Sequence, residues 1–263
     1  MNDLQKEAAF FKQIADSVIN YVRGYDKLMT ITEDKGVGDY ATQIDVDVEK
    51  LIVAEIQKQF VGDVILAEEG FADISFTNDR MWIIDPICGT NNLGKGINIY
   101  CTNLALAING QVVAACVIDH SQGEYFWSIG DMTVYTGNQP SQPPEPRFGT
   151  KIDVDFGSLR SVDIALRQKH SNFIFKLLNE TPHDMISLNT SLSFAYTAAG
   201  KTDGFINMFN HPWDIAAAAF LIQQSGGVIS ALDGTPWTLS TIGAIGARSP
   251  AVHEQLYSLY LDS

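Results

Sequence analysis

With 263 residues, 46% of them hydrophobic and 18% charged, the chain has the balance of a globular protein long enough to bury a substantial core in one domain or two joined halves. Its formal charge of −14, from 31 acidic against 17 basic residues with no Lys or Arg run, disfavours nucleic-acid binding, which draws its affinity from phosphate neutralisation. Three cysteines without metal-site spacing, an N-terminus without a signal pattern and the lack of any apolar stretch of the ~20 residues a span requires lead us to expect a reduced, cytoplasmic protein with no membrane partner.

Leu4, Ala8, Phe11, Ala15, Val18 and Val22 recur at steps of four and three, which predicts an amphipathic helix ending at Gly24. A polar loop through Lys35, Gly36, Gly38 and Asp39 follows. Val48, Leu51, Ile52 and Ile56 then mark a second helix, with Asp45 near its start. Val64 to Ala67 and Met81 to Ile84 read as buried strands. Each is followed by acid, Glu68-Glu69 after the first and Asp85-Pro86 after the second.

Residues 102–108 and 111–118 flank Asn109-Gly110, a pair suited to a type I′ hairpin, and Tyr125 to Trp127 predict a third strand beside them. Gly137 to Pro146 reads as an exposed, proline-rich loop and a seam between halves of about 1–136 and 147–263. Beyond it, helical and strand-like segments alternate until Pro212-Trp213-Asp214 opens an alanine-rich helix closed by Gly226-Gly227.

Asp45, Glu68, Glu69, Asp85 and Asp214 thus fall at strand ends or helix starts, the edges where layered α/β proteins build sites. Carboxylates gathered from distant segments repel one another unless cations lie between them, and oxygen ligands suit Mg²⁺, which keeps some waters and takes substrate phosphate. Each acid alone has a plain local reading as a turn starter or helix cap. The five histidines, His120, His170, His183, His211 and His253, lack ligand spacing and read as surface or capping groups. Cys101 and Cys116 read as core, and Phe10-Phe11 and Phe173 to Phe175 as packing.

Taken in order, the segments resemble the inositol monophosphatase family. Residues 82–92, from Trp82-Ile83-Ile84-Asp85-Pro86 through Gly89-Thr90, resemble its signature, in which an aspartate stands where this chain has Cys88. Asp39 to Asp45, Ala67 to Gly70 and Trp213 to Ala217 resemble its other three motifs. The resemblance implies a layered αβαβα sandwich of the inositol monophosphatase and fructose-bisphosphatase type, a homodimer, Mg²⁺ or Mn²⁺ as cofactor and a small phosphorylated metabolite as partner.

It also implies roles. Glu68, Asp85, the Ile87 carbonyl, position 88 and Asp214 become metal-site groups. Asp45 and Thr90, with Glu68, become the catalytic groups that activate water, while Gly89, Thr90, Asn207 and Asp214 contact substrate. Lys35 matches a basic residue of the loop before Asp39. The implied reaction is in-line attack of water on phosphorus with metal assistance and no covalent enzyme intermediate; inhibition by lithium is a corollary of the resemblance.

Several departures keep alternatives open. Cys88 offers one soft donor where an aspartate offers two hard ones, so the second metal should weaken or shift toward manganese or zinc. Asn207 stands where inositol-phosphate enzymes carry an acid. Thr190 to Phe194 is similar to the related bisphosphate nucleotidases, with Ser193 where those carry lysine. Ala218 and Gln224 replace a common glycine and glutamate. The chain therefore reads as an active phosphatase or, alternatively, as an impaired relative that acts by binding, as a regulatory partner, or as a variant engineered to inactivity.

Overall fold

The computed structural model describes residues 4–25, 30–36, 39–70, 79–142, 149–157, 159 and 162–263. Helices α1 (Gln5–Arg23) and α2 (Gln43–Gln59) flank a two-stranded ribbon, β1 (Ile31–Gly36) and β2 (Asp39–Thr42). The segment expected as a loop is therefore partly strand: Gly36 pairs with Asp39, Lys35 falls at the irregularity between Asp34 and Gly36, and Gly38 lies outside the described residues.

A seven-stranded sheet follows, made of β3 (Val64–Ala67), β4 (Arg80–Cys88), β5 (Cys101–Ile108), β6 (Gln111–Asp119), β7 (Glu124–Ser128), β8 (Tyr135–Thr136) and β9 (Gln139–Pro140), in that order. Only β3 and β4 run parallel; the remaining pairs are antiparallel. The β5–β6 turn places Asn109 at φ 54° and Gly110 at φ 73°, the two left-handed positions that a type I′ turn demands. Gly137, expected in an irregular loop, instead sits in the tight turn between β8 and β9, and residues 143–148 lie outside the described set.

The second sheet has the order β11 (Asp184–Ile186), β10 (Lys151–Val154), β12 (Gly204–Asn207), β14 (Ala244–Ala247), β13 (Val228–Ala231). Three further long helices, α4 (Ile164–Glu180), α6 (Pro212–Gln224) and α7 (Pro250–Leu261), and the shorter α3 (Thr90–Gly94) and α5 (Leu192–Ala199) complete the helices among the described residues.

Three apolar clusters set the layers. Phe11, Ile14, Val18, Val48 and Ile52 of α1 and α2 pack on Trp82, Ile84 and Leu104 of the larger sheet. Its opposite face, through Met81, Ile83, Ala105 and Val117, meets α5 and α6. The latter is apolar almost all round, from Ile215 to Ile222, as a central layer between two sheets requires. Phe173 and Leu177 of α4 join Leu256 and Tyr260 of α7 over Ile152, Ile206 and Ile245, on the far side of the smaller sheet. The result is the α-β-α-β-α stacking expected from the sequence. Phe175 departs from the packing role expected of it, because its position on α4 leaves it 65% exposed.

Trp82 anchors the first layer. It is fully buried, its ring centroid lies 5.2 Å from Phe10 and 5.1 Å from Phe60, and its indole N–H donates to Asp63 at 2.8 Å. Trp82→Ala should destabilise the fold by about 3–5 kcal/mol, through lost burial and the cavity left behind, as a urea titration followed by circular dichroism would report.

Candidate active site

The acidic segments meet in a cleft of about 220 Å³ where the central helix layer meets the C-terminal end of β4. Glu68, Asp85, Ile87, Cys88, Gly89, Thr90, Asn207 and Asp214 all line it. Asp45 sits behind Thr90, whose hydroxyl oxygen lies 2.8 Å from Asp45 Oδ1.

An irregularity in β4 accounts for the clustering of Asp85 and Cys88. Along a regular strand, residues three apart point to opposite faces. Asp85 pairs with Asn103 and Cys88 with Cys101, so two residues of β4 oppose Thr102 alone, a bulge that reverses the alternation. Pro86, which has no N–H to give the ladder, occupies the bulge, and Thr102 donates its hydroxyl to the Pro86 carbonyl at 2.6 Å. Met81, Ile83 and Cys88 consequently share one face, and Trp82, Ile84 and Ile87 the other. Asp85 was expected beyond the strand end; it lies within the strand, and the bulge brings it beside position 88.

The helix starts supply the remaining groups. At the N-terminus of α2, Asp45 Oδ2 accepts the Thr42 backbone N–H at 2.9 Å and also takes the Thr42 hydroxyl, leaving Oδ1 for Thr90. Pro212 opens α6, and Asp214 Oδ2 accepts the His211 N–H at 2.6 Å. Gly89 has φ +100°, which strains any other residue, and a Cβ there would also crowd the Thr190 side chain at 3.1 Å.

One ligand atom each from Asp85, Cys88 and Asp214 lies within 4.8 Å of the other two. Asp85 is 1% exposed, and its Oδ1 has no hydrogen-bond partner. Burial, followed by the charges of Cys88, Glu68 and Asp214, pushes the Asp85 carboxyl well above the usual range. The Cys88 thiol is raised well above its ordinary value too, first by a hydrogen bond with Cys101 and then by burial. For Asp45, burial raises the carboxyl against the opposing effect of the Thr42 and Thr90 hydrogen bonds. A buried, unpartnered carboxylate oxygen among mutually repelling acids is the donor arrangement a divalent cation relieves, and its spacing suits a shared ion. Glu68 faces the same cavity but lies outside the tight trio, which leaves the trio's one thiol to occupy the place of a hard ligand.

The sequence marks Thr190 to Phe194 by likeness alone, and the contacts this stretch makes in the cleft are not legible there. Ser191 donates its backbone N–H to Cys88 Sγ at 3.2 Å, Thr190 its hydroxyl to the Cys88 carbonyl at 2.9 Å, and Asn103 its amide to Ser191 Oγ at 2.7 Å. Asp155, Phe209 and His211 complete the wall. His211, read as a surface or capping group, does precede α6, and its ring stacks on Trp213 at 4.7 Å. Two other histidines are not surface groups: His120 is 6% exposed beneath Tyr100, its pKa lowered by burial to about 4, and His170 is fully buried beside Phe173.

Asp153 supports the loop that carries Thr190 and Ser191. It is 1% exposed, accepts the Leu188 N–H at 3.0 Å and the Ser193 hydroxyl at 2.8 Å, and burial raises its pKa to about 7. A carboxyl that titrates near 3.9 unfolded and about 7 folded contributes stability that is complete below about pH 4 and lost as pH rises through 7. Asp153→Asn should flatten this decline, on the order of a few kcal/mol in all, when urea midpoints are compared at pH 5 and pH 8.

The chain matches the model of the inositol monophosphatase family over residues 3–262 and belongs to that family of phosphatases. It is 30% identical to the Nus factor SuhB of Escherichia coli K12 over 83% of this chain and 81% of that one. It is 31% identical to an inositol-1-monophosphatase of Mesorhizobium japonicum over 76% and 75%. Among solved structures, an IMPase/NADP phosphatase complexed with Mg²⁺ and phosphate superposes with a TM-score of 0.77 at 22% identity, covering 98% of this chain and 96% of that one, and so shares the fold. Among the described residues, no helix is long and apolar enough to cross a membrane.

Proposed function

We propose that the chain is a Mg²⁺-dependent phosphomonoesterase that hydrolyses a small phosphorylated metabolite, an inositol phosphate, a sugar phosphate or a nucleotide 3′-phosphate. The observation that carries this reading is the buried, unpartnered Asp85 Oδ1 in a cleft whose other wall is the Thr90–Asp45 pair.

Glu68, Asp85 and the Ile87 carbonyl would hold the hard cation, Mg²⁺ or Mn²⁺. Bound there, it would neutralise developing negative charge and acidify the attacking water. The protein's own contribution is to orient that water. Thr90 Oγ1 lies 2.8 Å from Asp45 Oδ1 and 2.9 Å from the Ile87 carbonyl, but its hydroxyl has one proton for the two acceptors. If the Ile87 carbonyl held a cation, that proton would go to Asp45, and the lone pairs on Thr90 Oγ1 would be free to accept a hydrogen bond from water. As the water attacks phosphorus it would pass its proton to Thr90 Oγ1, while Thr90 passes its own proton to Asp45 Oδ1, a carboxylate kept basic by burial. The Gly89 and Thr90 amides, Asn207 and Asp214, all from residues that line the cleft, would receive the phosphate and its leaving group. The expected homodimer and cytoplasmic setting belong to the same proposal.

Phosphate release from a panel of these esters, with Mg²⁺ and with chelator, tests the reading. Turnover that needs the metal supports it; a folded protein inert on the whole panel with either Mg²⁺ or Mn²⁺ overturns it. That second outcome would favour a binding role, for which the thiol at position 88 and the likeness to a Nus factor are the supporting observations.

A further inference from the structure

We propose that Asp85, Cys88 and Asp214 form a thiophilic metal position, one that prefers zinc- or cadmium-class divalent cations to magnesium, beside the hard position at Glu68, Asp85 and the Ile87 carbonyl. The inference rests on the metal-dependent reading of the same cleft but assigns its second position to a different class of ion.

Three observations carry it. First, the ligand atoms of the three residues already lie within 4.8 Å of one another, the spacing of groups around a common ion. Second, the buried Asp85 Oδ1 has no hydrogen-bond partner, the Asn103 amide reaches Oδ2 only at 3.4 Å, and the carboxyl's other neighbour is the Cys88 thiol itself, so the carboxylate retains capacity for an ion. Third, the sulfur is held in place: the β4 bulge sets its face, and the Ser191 N–H points at Sγ from 3.2 Å, the kind of outer hydrogen bond that fixes a metal-bound thiolate.

Chemistry then decides which ion fits. Magnesium demands oxygen donors in near-ideal octahedral array, whereas one thiolate with two carboxylates suits zinc or cadmium. As the metal–sulfur bond forms, the thiol yields its proton to solvent. Cys88 opens on the cleft, while Cys101 and Cys116 are fully buried, so among the three cysteines only Cys88 can meet an ion arriving from the cavity.

The test uses the full chain and metals alone. In the unmodified protein, saturating Zn²⁺ should slow alkylation of Cys88 by iodoacetamide on the order of tenfold or more, read by mass spectrometry, and Mg²⁺ should not. Titration with Co²⁺ should raise a thiolate-to-metal charge-transfer band that vanishes in Cys88→Ser and Cys88→Asp and persists in Cys101→Ala. Equal protection by Mg²⁺, no protection by Zn²⁺, or a band that survives Cys88→Ser overturns the inference. Magnesium-dependent phosphate release without zinc protection would overturn it and leave the phosphatase reading standing. Zinc protection without any phosphate release would do the reverse.

Discussion

Asp45→Asn should lower kcat for phosphate release roughly 10²–10⁴-fold, the range for removal of a positioned general base, with little change in substrate KM. The carboxylate sits at the start of α2 with one oxygen on Thr42 and the other on Thr90. Asparagine keeps the shape and one acceptor oxygen but cannot take the proton that Thr90 passes on. Because the amide can still cap the helix, the thermal midpoint should move little, and steady-state kinetics beside a melting curve separate the two effects. Loss of folding in step with loss of turnover would contradict the assigned role.

Asp214→Asn should cost about 10³-fold in kcat/KM, taking a metal's contribution as several kcal/mol at about 1.4 kcal/mol per tenfold. The same carboxylate accepts the His211 N–H at the start of α6, a contact the amide oxygen can keep, so the stability loss should stay below about 1 kcal/mol. The two numbers differ enough to be told apart. Urea unfolding should show the small loss, and calorimetric titration with Zn²⁺ should show weakened binding at the position Asp214 shares with Asp85 and Cys88. Unchanged metal affinity in a folded Asp214→Asn protein would remove Asp214 from the metal site.

Much of this arrangement was legible in local signals. The apolar repeat from Leu4 to Val22 gave α1, Asn109-Gly110 gave its hairpin, and Pro212 with Asp214 gave the start of α6. Each of these depends on neighbours in sequence, where periodicity and turn chemistry act. Of the acids read at strand ends and helix starts, Glu68, Asp85 and Asp214 line one cleft with Asp45 behind Thr90, whereas Glu69 lies outside it.

What escaped depends on register and on distant contacts. No spacing rule reveals that β4 carries a bulge at Pro86, although that one extra residue turns Asp85 and Cys88 to the same side. Ser191 reaches Cys88 from about a hundred positions further along the chain, and nothing in either local sequence marks the pairing. The burial of His120 and His170 was missed for the same reason, because a lone histidine's environment is set by what folds over it. Lys35 was read as a loop residue since β1 and β2 form a short ribbon without an apolar pattern, and Lys35 itself falls at an irregularity in its register.

The most direct measurement is anomalous diffraction from crystals of the full chain soaked with Mn²⁺ and phosphate. A manganese peak in contact with Asp85, flanked by Glu68 and the Ile87 carbonyl and with phosphate above it, is the predicted result. A cleft in which phosphate binds with no ion touching Asp85, or one in which neither binds, would contradict the account.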